Sequence, residues 1–334
     1  MNKRAIILFA CALLLSQRCI AQEQSHQYKD STISCEYETF DGRIHGKYIS
    51  YYPNGQKRAE GNFENAYRIG NWTVWDSEGN LCVQRDYKNP FIYKKIIPEV
   101  STDLPIKLLD IPQYDIVYNE EGFIEDFYLD ERMIMWSKRN WRLITPQNNA
   151  VFFENNNLFN VFSSEINNNN ITSYSAENDD FTIELPPSDI QLQNKEIIGF
   201  KIKEDWFFEN ERFVTEVRIL GICPVVRDTE TNDTLDLYWL YFPELRKHLA
   251  QNEIQENVFP QKVKTLDDVF FYRCFSSQIY KESNVYDREI KDYKSGAEIE
   301  KEAETIEIRI IEAEHCLWLH FAGKAIYLPM FRYY

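Results

Sequence analysis

The clearest pattern of apolar and polar positions along the chain is a repeat of 24 residues near its start. The segment GRIHGKYISYYPNGQKRAEGNF, 42–63, aligns with AYRIGNWTVWDSEGNLCVQRDY, 66–87, and each copy holds an aromatic-rich strand, a turn and a second strand. Glycine and asparagine in the turns adopt positive φ at the least cost. The pattern predicts antiparallel β-hairpins that stack, because one hairpin alone cannot bury its aromatics. The equivalent aromatic positions are Tyr48 and Trp72, and Tyr51 and Trp75.

These features resemble the MORN-type repeat, a run of short hairpins, over residues 36–93. Two copies are clear, and CEYETF at 35–40 is interpreted as an imperfect third copy. The resemblance implies a contact surface and no catalyst. A purely structural role, in which the repeats cap the next domain, accounts for the pattern equally well.

A proline-bearing segment follows the repeats. Each proline disfavours a helix at the residue before it. Residues 94–127, which include Pro98, Pro105 and Pro112, are therefore predicted to form an extended linker. We expect a larger domain over 128–321 and a C-terminal tail over 322–334.

The larger domain is predicted to be α+β, with an antiparallel sheet and several helices. Two β-rich runs at 197–208 and 212–226 predict a hairpin, and LDLYWLYF at 235–242 predicts a third strand. Apolar residues spaced by three and four predict helices. Pro243 is suited to open one of them, and Thr265 to cap another. The helices are expected at 130–144, 157–166, 243–251, 266–282 and 297–319.

Residues 1–21 have the pattern of an export signal. Lys3 and Arg4 precede the apolar run AIILFACALLL, and small residues favour a cut after Ala21. The run is too short for a permanent membrane anchor. A lipoprotein with an acylated Cys19 is the weaker alternative. We therefore expect an exported, soluble mature protein.

The charge balance narrows the range of partners. The chain has 37 lysine and arginine residues against 53 aspartate and glutamate residues, a formal net charge of −16. Such a surface repels nucleic-acid phosphates, and no basic patch in the sequence offsets it. We expect no nucleic-acid partner.

Removal of the signal leaves an odd number of cysteines with wide and irregular spacing. The sequence has no CxxC pair, so neither a zinc ribbon nor a thioredoxin-like motif is indicated. An oxidising compartment allows one disulfide or two, with at least one thiol left free. The cysteines are Cys35, Cys82, Cys223, Cys274 and Cys316.

The segment CFSSQIYKESNVYDR, 274–288, holds residue types found in catalytic sites. On the predicted helix, Ser277 and Lys281 lie four residues apart and could face each other. A serine–lysine catalyst also needs oxyanion donors and a pocket, and no glycine-rich turn near Ser277 supplies them. Cys274 lies among phenylalanines and is expected to be buried and inert. A hydrolase is the least favoured hypothesis, and buried packing with helix termination is the favoured one.

Other signatures of cofactor or metal sites are absent from the sequence, which has no GxGxxG, GK[ST], GxSxG or HExxH motif. Glu312 and His315 have a metal-ligand spacing, but it occurs once where two copies are needed. His315 is therefore expected to be a partly exposed helix residue. DTETNDT at 228–234 lacks the glycine and the final glutamate of a calcium loop, so we expect a surface hairpin. No cofactor is predicted.

Tryptophans and arginines of the larger domain are the remaining candidates for function. These residue types anchor protein interfaces, although any single one is more often a core or ion-pair residue. The set comprises Trp136, Trp141, Arg142, Trp206, Arg218, Trp239, Arg273, Arg288 and Trp318.

The order of landmarks from 128 to 318 resembles the GldN/PorN family of the gliding-motility and type IX secretion machinery of Bacteroidota-type bacteria. The most specific parts are the WSKRNW segment, the EDWFF strand and FSSQIYKESNVYDR. A chance match of all three in this order is improbable. The candidate family-motif or partner-contact residues are Trp136, Ser137, Lys138, Trp141, Trp206, Arg218, Trp239, Arg273, Ser276, Ser277, Glu282, Asn284, Tyr286 and Arg288.

The resemblance implies a non-enzymatic periplasmic protein that is associated with the outer membrane through a partner. That partner is an outer-membrane lipoprotein of GldK/PorK type, and the two form a ring coupled to the periplasmic parts of the inner-membrane motor. The repeats and the linker are not part of the usual family pattern, which implies an extended member, either a main subunit or a specialised paralogue. The alternative is a cell-envelope module that binds a protein or a glycan through the repeats, without a ring role.

Overall fold

The computed structural model describes residues 22–28, 31–89, 92–97, 117–126, 129–209, 214–254 and 262–322. The chain divides into two compact units, 1–97 and 98–334, which we call the repeat unit and the mixed unit. The predicted export signal, the middle of the predicted linker at 98–116 and the tail from 323 onward lie outside the described residues.

The repeat unit is one antiparallel sheet of seven strands that follow one another in chain order. The predicted N-terminal hairpins are thereby confirmed. The strands are β1 Gln22–Gln27, β2 Ile33–Phe40, β3 Arg43–Tyr51, β4 Lys57–Glu64, β5 Tyr67–Trp75, β6 Leu81–Asn89 and β7 Ile92–Ile97.

The turns show that the repeat has a third complete copy. Gly55 and Gly79 occupy equivalent turn positions with φ of 82° and 86°. Ser31 lies 24 residues before Gly55 and adopts the same left-handed region, with φ of 69°. In all three turns this residue donates its backbone N–H to the carbonyl of the residue three positions earlier. The imperfect copy predicted at 35–40 is therefore the second strand of a hairpin that begins at Gln22.

Neighbouring copies are joined by the same tyrosine contact. The Tyr28 hydroxyl donates to the Tyr51 carbonyl at 2.7 Å, and the Tyr52 hydroxyl donates to the Trp75 carbonyl at 2.8 Å. Each hydrogen bond spans 23 residues and recurs one repeat later. The sheet therefore extends by adding one hairpin to the next, as in other repeat proteins.

Among its described residues, the mixed unit contains a second antiparallel sheet and five α-helices. The strands are β8 Ile134–Ile144, β9 Ser173–Tyr174, β10 Lys195–Glu209, β11 Val214–Asp228, β12 Thr234–Asp236, β13 Trp239–Tyr241 and β14 Gln278–Glu282. Their order in the sheet is β14-β8-β10-β11-β13-β9, with β12 also paired to β11. The helices are α1 Ala150–Phe153, α2 Asn157–Asn167, α3 Phe242–Ala250, α4 Leu266–Phe271 and α5 Ala297–Phe321.

The α+β prediction and several of its elements are confirmed. β10 and β11 form the predicted hairpin, and α2, α3 and α5 cover the helices predicted at 157–166, 243–251 and 297–319. Thr265 caps α4 through a capping box with Asp268. The third predicted strand is divided into β12 and β13. The segment 228–234 is a surface turn, as expected.

The helix predicted at 130–144 is wrong, because this segment is strand β8 after one short 3-10 turn. Asn140 and Arg142 lie on the same face of β8 and are buried although they are polar. Buried polar residues break the alternation that marks a strand, and the remaining apolar positions mimic a helical period.

The helix predicted at 266–282 is wrong in its second half. α4 ends at Phe271, and the chain returns as the edge strand β14. Arg273 terminates the helix in the left-handed region, with φ of 48°. A residue other than glycine in this region is uncommon, so the sequence carried no breaker signal. Ser277 therefore precedes a strand and Lys281 lies within it.

The long helix α5 packs across β14. Ala303, Ile306 and Ile310 of the helix form an apolar cluster with Ile279 and Ile290. The expectation that His315 is partly exposed is wrong, since its exposed fraction is 0%. Residues 313–319 of α5 are buried without interruption, so that part of the helix has no solvent-facing stripe.

The end of the predicted linker is attached to the mixed unit. The Tyr118 hydroxyl donates to Asp268 Oδ1 at 2.9 Å. Arg246 of α3 donates to the Ile124 carbonyl at 2.6 Å and forms a two-nitrogen pair with Asp267. The described segment 117–126 is therefore a docked turn, and 94–97 belong to strand β7.

Candidate functional site

An ion cluster lies at the centre of the segments singled out in the sequence. Arg142 on β8, Glu204 on β10 and Arg273 after α4 have side chains that are 3%, 0% and 9% exposed. Arg142 donates Nε to Glu204 Oε1 at 2.8 Å, and Arg273 donates Nη1 to Glu204 Oε2 at 2.8 Å. Trp206 donates Nε1 to Glu204 Oε1 at 2.7 Å. Both oxygens of the carboxylate are therefore bound.

The same cluster joins three parts of the mixed unit. Arg142 also donates Nη2 to Glu307 Oε1 of α5 at 2.8 Å, and Nη1 to the Ser277 hydroxyl at 3.4 Å. The Arg273 guanidinium carbon lies 5.3 Å from the ring centroid of Trp206. These ion pairs thus connect the sheet with the long helix α5 and with the segment after α4.

Electrostatics keep Glu204 ionised. Burial alone would raise the pKa of Glu204, but the guanidinium groups of Arg273 and Arg142 outweigh burial and lower this pKa below its ordinary value of 4.5. A carboxylate with a lowered pKa and both oxygens bound is a weak proton acceptor. The cluster is therefore suited to holding the fold together.

Ser277 and Lys281 do not form a catalytic pair. Residues four apart along an extended strand are separated by about 13 Å. Lys281 Nζ lies 4.4 Å from the ring centroid of Trp141 and 2.6 Å from Asp287 Oδ1. Each side chain thus has its own structural partners. Cys274 is buried, as predicted.

Ser276 is held by Asn149, a buried side chain in the loop before α1. Asn149 Oδ1 accepts from the Ser276 backbone N–H at 2.8 Å, and Nδ2 donates to the Ser276 carbonyl at 2.9 Å. Nδ2 also donates to the Thr145 and Gln147 carbonyls. The Asn149 amide thus binds both backbone polar groups of Ser276, as a residue of a neighbouring strand would. Sequence reasoning missed Asn149, because a loop asparagine carries no signal of a contact 127 residues away.

Trp141 and Trp239 lie in the core on the opposite face of the sheet, packed together with Cys223. Trp141 donates Nε1 to Asp179 Oδ2. Lys203 donates Nζ to the Asp179 carbonyl at 2.6 Å and to Oδ1 at 3.0 Å. Both tryptophans therefore have a structural role.

Other candidates lie closer to solvent. Trp136 and Trp206 are partly buried against the apolar cluster under α5. The Arg218 guanidinium carbon lies 5.3 Å from the ring centroid of Phe207. Ser137 is exposed.

The start of the loop after β14 is tied to two other elements. Lys138 Nζ lies 3.1 Å from Glu282 Oε2 and donates to the Ser283 carbonyl at 3.0 Å. Arg309 of α5 donates Nη2 to Glu282 Oε1 at 3.3 Å. Glu282 thus connects β8, β14 and α5.

Asn284 shapes the loop itself. Its Nδ2 donates to the carbonyls of Glu282 and Arg288, both at 2.8 Å. Its Oδ1 accepts from the backbone N–H groups of Tyr286 at 3.1 Å and Arg288 at 3.0 Å. Four hydrogen bonds from one side chain close a turn that exposes Val285 and Tyr286.

The repeat aromatics divide into two groups. Tyr48 and Trp72 are fully buried and, with Phe63, form a ring cluster with centroids 4.9 to 5.8 Å apart. Tyr51 and Trp75 are half-buried. Of these four side chains, only Tyr51 and Trp75 have exposed surface that a partner could contact.

Neither metal nor thiol chemistry is indicated within the described ranges. No group of three or more His, Cys, Asp or Glu side chains there is placed to hold a metal ion. The five cysteines in the part of the chain that the structure describes are all buried. None of the described helices has the length and apolar character needed to cross a bilayer.

The chain thus combines a unit of stacked β-hairpins with an α+β unit. A family model described as gliding motility associated protein GldN matches residues 129–319, more than half of the chain. The protein therefore belongs to the GldN family. A model described as MORN repeat variant matches residues 44–65. Both resemblances predicted from the residues are confirmed, and no curated protein matches the chain significantly.

Proposed function

We propose that this protein is a non-enzymatic, periplasmic structural subunit of the type IX secretion and gliding-motility machinery. In this proposal it assembles with an outer-membrane lipoprotein of GldK/PorK type into a ring, which couples to the periplasmic parts of the inner-membrane motor. The observation that carries the proposal is the GldN match over 129–319.

The use of polar groups within that match supports a structural role. Glu204, Arg142 and Arg273 are bound to one another in the interior. Ser277 and Lys281 have separate partners. These bonds stabilise the fold and leave the most reactive side chains of the segment without the geometry of a nucleophile and its base.

A second candidate function is partner binding by the repeat unit alone. Three stacked copies present a longer surface than the two that the sequence makes obvious. Lys47 and Asn71 are exposed on one face of this sheet, and Lys57 pairs with Glu60 there at 2.7 Å. A polar face of this kind suits a protein or a glycan of the cell envelope.

Affinity purification of the mature protein from its own envelope tests the proposed assembly. We expect an outer-membrane lipoprotein to co-purify in near-equal amount. Identification by mass spectrometry should include the acylated N-terminal peptide of that partner. A protein recovered alone, or one that turns over a small molecule without a stoichiometric companion, would contradict the proposal.

Deletion of 22–97 separates the two candidate functions. The deletion removes the whole seven-stranded sheet. A deletion that began at residue 36 would instead remove most of β2 and leave β1 without its partner strand. We expect the mixed unit to retain the lipoprotein and to support cargo secretion in cells. Loss of all partner binding from a folded mixed unit would instead assign the binding role to the repeats. Circular dichroism of the shortened protein is the folding control.

The Ser277→Ala variant tests for a hydrolase. The substitution removes one long hydrogen bond from Arg142, so we expect a stability loss of less than about 1 kcal/mol. Cargo secretion should stay near the wild-type level. Complete loss of function with an unchanged melting temperature would point to a reacting serine.

A further inference from the structure

The tip of the loop between β14 and α5 presents bulky side chains to solvent. Val285 and Tyr286 are 79% and 71% exposed, the highest values among the large apolar residues of the described chain. Such side chains next to each other on a soluble surface are a mark of an interaction site. The Asn284 turn holds them in one shape, so ordering the loop costs little when a partner binds.

Arg288 extends this exposed surface. Its guanidinium carbon lies 4.8 Å from the ring centroid of Tyr286 and 5.4 Å from that of Tyr293. Both rings lie against the guanidinium and limit its motion. The guanidinium is thereby prepared to bind an external group through its fixed fork of N–H donors.

The carboxylates beside Arg288 already have partners. Asp287 pairs with Lys281 at 2.6 Å, and Glu289 pairs with Lys291 at 2.6 Å. Within the described ranges, no carboxylate lies within salt-bridge distance of the Arg288 guanidinium. An exposed cation that is held by aromatics and lacks a carboxylate of its own is complementary to an anion on a partner.

We propose that Val285, Tyr286 and Arg288 form a docking patch, which we call the tip patch. Its occupant is a protein segment that presents a carboxylate beside an apolar side chain. Arginine binds carboxylates through two parallel hydrogen bonds, and tyrosine and arginine are the residue types that dominate interface energies. The net charge of −16 disfavours polyanions such as nucleic acid or anionic lipid surfaces.

The identity of the partner that binds the tip patch rests on the proposed function. In the proposed assembly, the carboxylate segment belongs to the outer-membrane lipoprotein. The loop lies within the GldN match, and the Asn284 hydrogen bonds that shape it are made to residues 282–288. The deletion of 22–97 is therefore expected to leave the tip patch intact.

An envelope cross-linking experiment tests the tip patch directly. The protein carries an affinity tag and p-benzoylphenylalanine in place of Val285, and light is applied to intact cells. We expect an adduct with the lipoprotein, whose cross-linked peptide contains an acidic residue. The Arg288→Glu variant should recover the lipoprotein at least about tenfold less well, and Arg288→Lys should give an intermediate loss because lysine cannot bind in two-nitrogen fashion.

Charge reversal supplies the decisive second step. Changing the acidic residue of the cross-linked peptide to arginine should restore recovery by the Arg288→Glu variant. Arg132→Glu is the matched control. Arg132 is 86% exposed and pairs with Asp130 of its own turn, so the same charge change there should leave recovery unchanged. Melting temperatures of all variants should agree, because Arg288 is exposed.

The outcomes separate the two proposals. Failure of the wild type to recover the lipoprotein contradicts the proposed function and removes the partner assigned to the tip patch. Equal recovery by wild type and Arg288→Glu leaves the proposed function standing and overturns the tip patch. An adduct with a second copy of this chain, or vesicle binding that depends on Arg288, overturns the assigned occupant.

Discussion

Replacing Glu204 with glutamine should lower the free energy of unfolding of the mixed unit by about 3–5 kcal/mol, the usual cost of removing one partner from a buried ion pair. The substitution keeps the size of the side chain and removes its charge. Arg142 retains Glu307, but Arg273 loses its bound carboxylate while it remains buried. Urea unfolding, with hydrogen exchange of peptides from β10 to assign the transition, measures the effect.

The difference in the free energy of unfolding between wild type and Glu204→Gln should depend on pH. The pKa of Glu204 is lower in the folded protein than its ordinary value of 4.5. Its contribution to stability is therefore present above pH 4.5 and is lost as the pH falls through the folded value. We expect the gap between wild type and Glu204→Gln to be widest near neutral pH and to narrow below 4.5.

Asp205→Asn is the matched control for burial. Asp205 is the next residue on β10 and binds Arg139 with two hydrogen bonds of 2.7 Å. These side chains are 30% and 42% exposed, so their pair should contribute only about 0–1 kcal/mol. A loss from Asp205→Asn as large as that from Glu204→Gln would show that burial does not set the cost.

The Glu204 cluster also explains why part of the fold could not be predicted. β8 carries Asn140 and Arg142 on a buried face, where an apolar residue would have marked the strand. The carboxylate that offsets the cost of burying Arg142 belongs to Glu204, 62 residues away in sequence. Periodicity depends only on neighbours in sequence, so the remaining apolar residues of β8 predicted a helix.

Local chemistry was predicted where local bonds decide the structure. The capping box of α4 needs only Thr265 and Asp268, and the left-handed turns at Gly55 and Gly79 are favoured by glycine itself. The first repeat copy was missed in part, because Ser31 occupies the position of those glycines. Val285 and Tyr286 lie within the segment 274–288, whose composition is typical of catalytic sites. Their exposure follows from the Asn284 turn, which composition alone does not predict.

Replacing Trp72 with alanine should have the largest effect in the repeat unit, a loss of about 3–5 kcal/mol. Trp72 is fully buried, and its Nε1 donates to the Asn62 carbonyl at 3.0 Å. The ring lies against Gly61, where an added Cβ would come within 2.2 Å of it. Glycine and tryptophan thus fit together across β4 and β5, and alanine would leave a cavity between them.

Trp75→Ala is the matched control, because Trp75 belongs to the same strand and is only half-buried. We expect it to cost clearly less, about 1–2 kcal/mol. Hydrogen exchange of peptides from 43–89 should lose protection in Trp72→Ala, with little change in the mixed unit. Protection lost equally in both variants would contradict the assignment of Trp72 to the core. If Trp72→Ala abolishes the repeat fold while the lipoprotein is still recovered, partner binding resides in the mixed unit, as the tip patch requires.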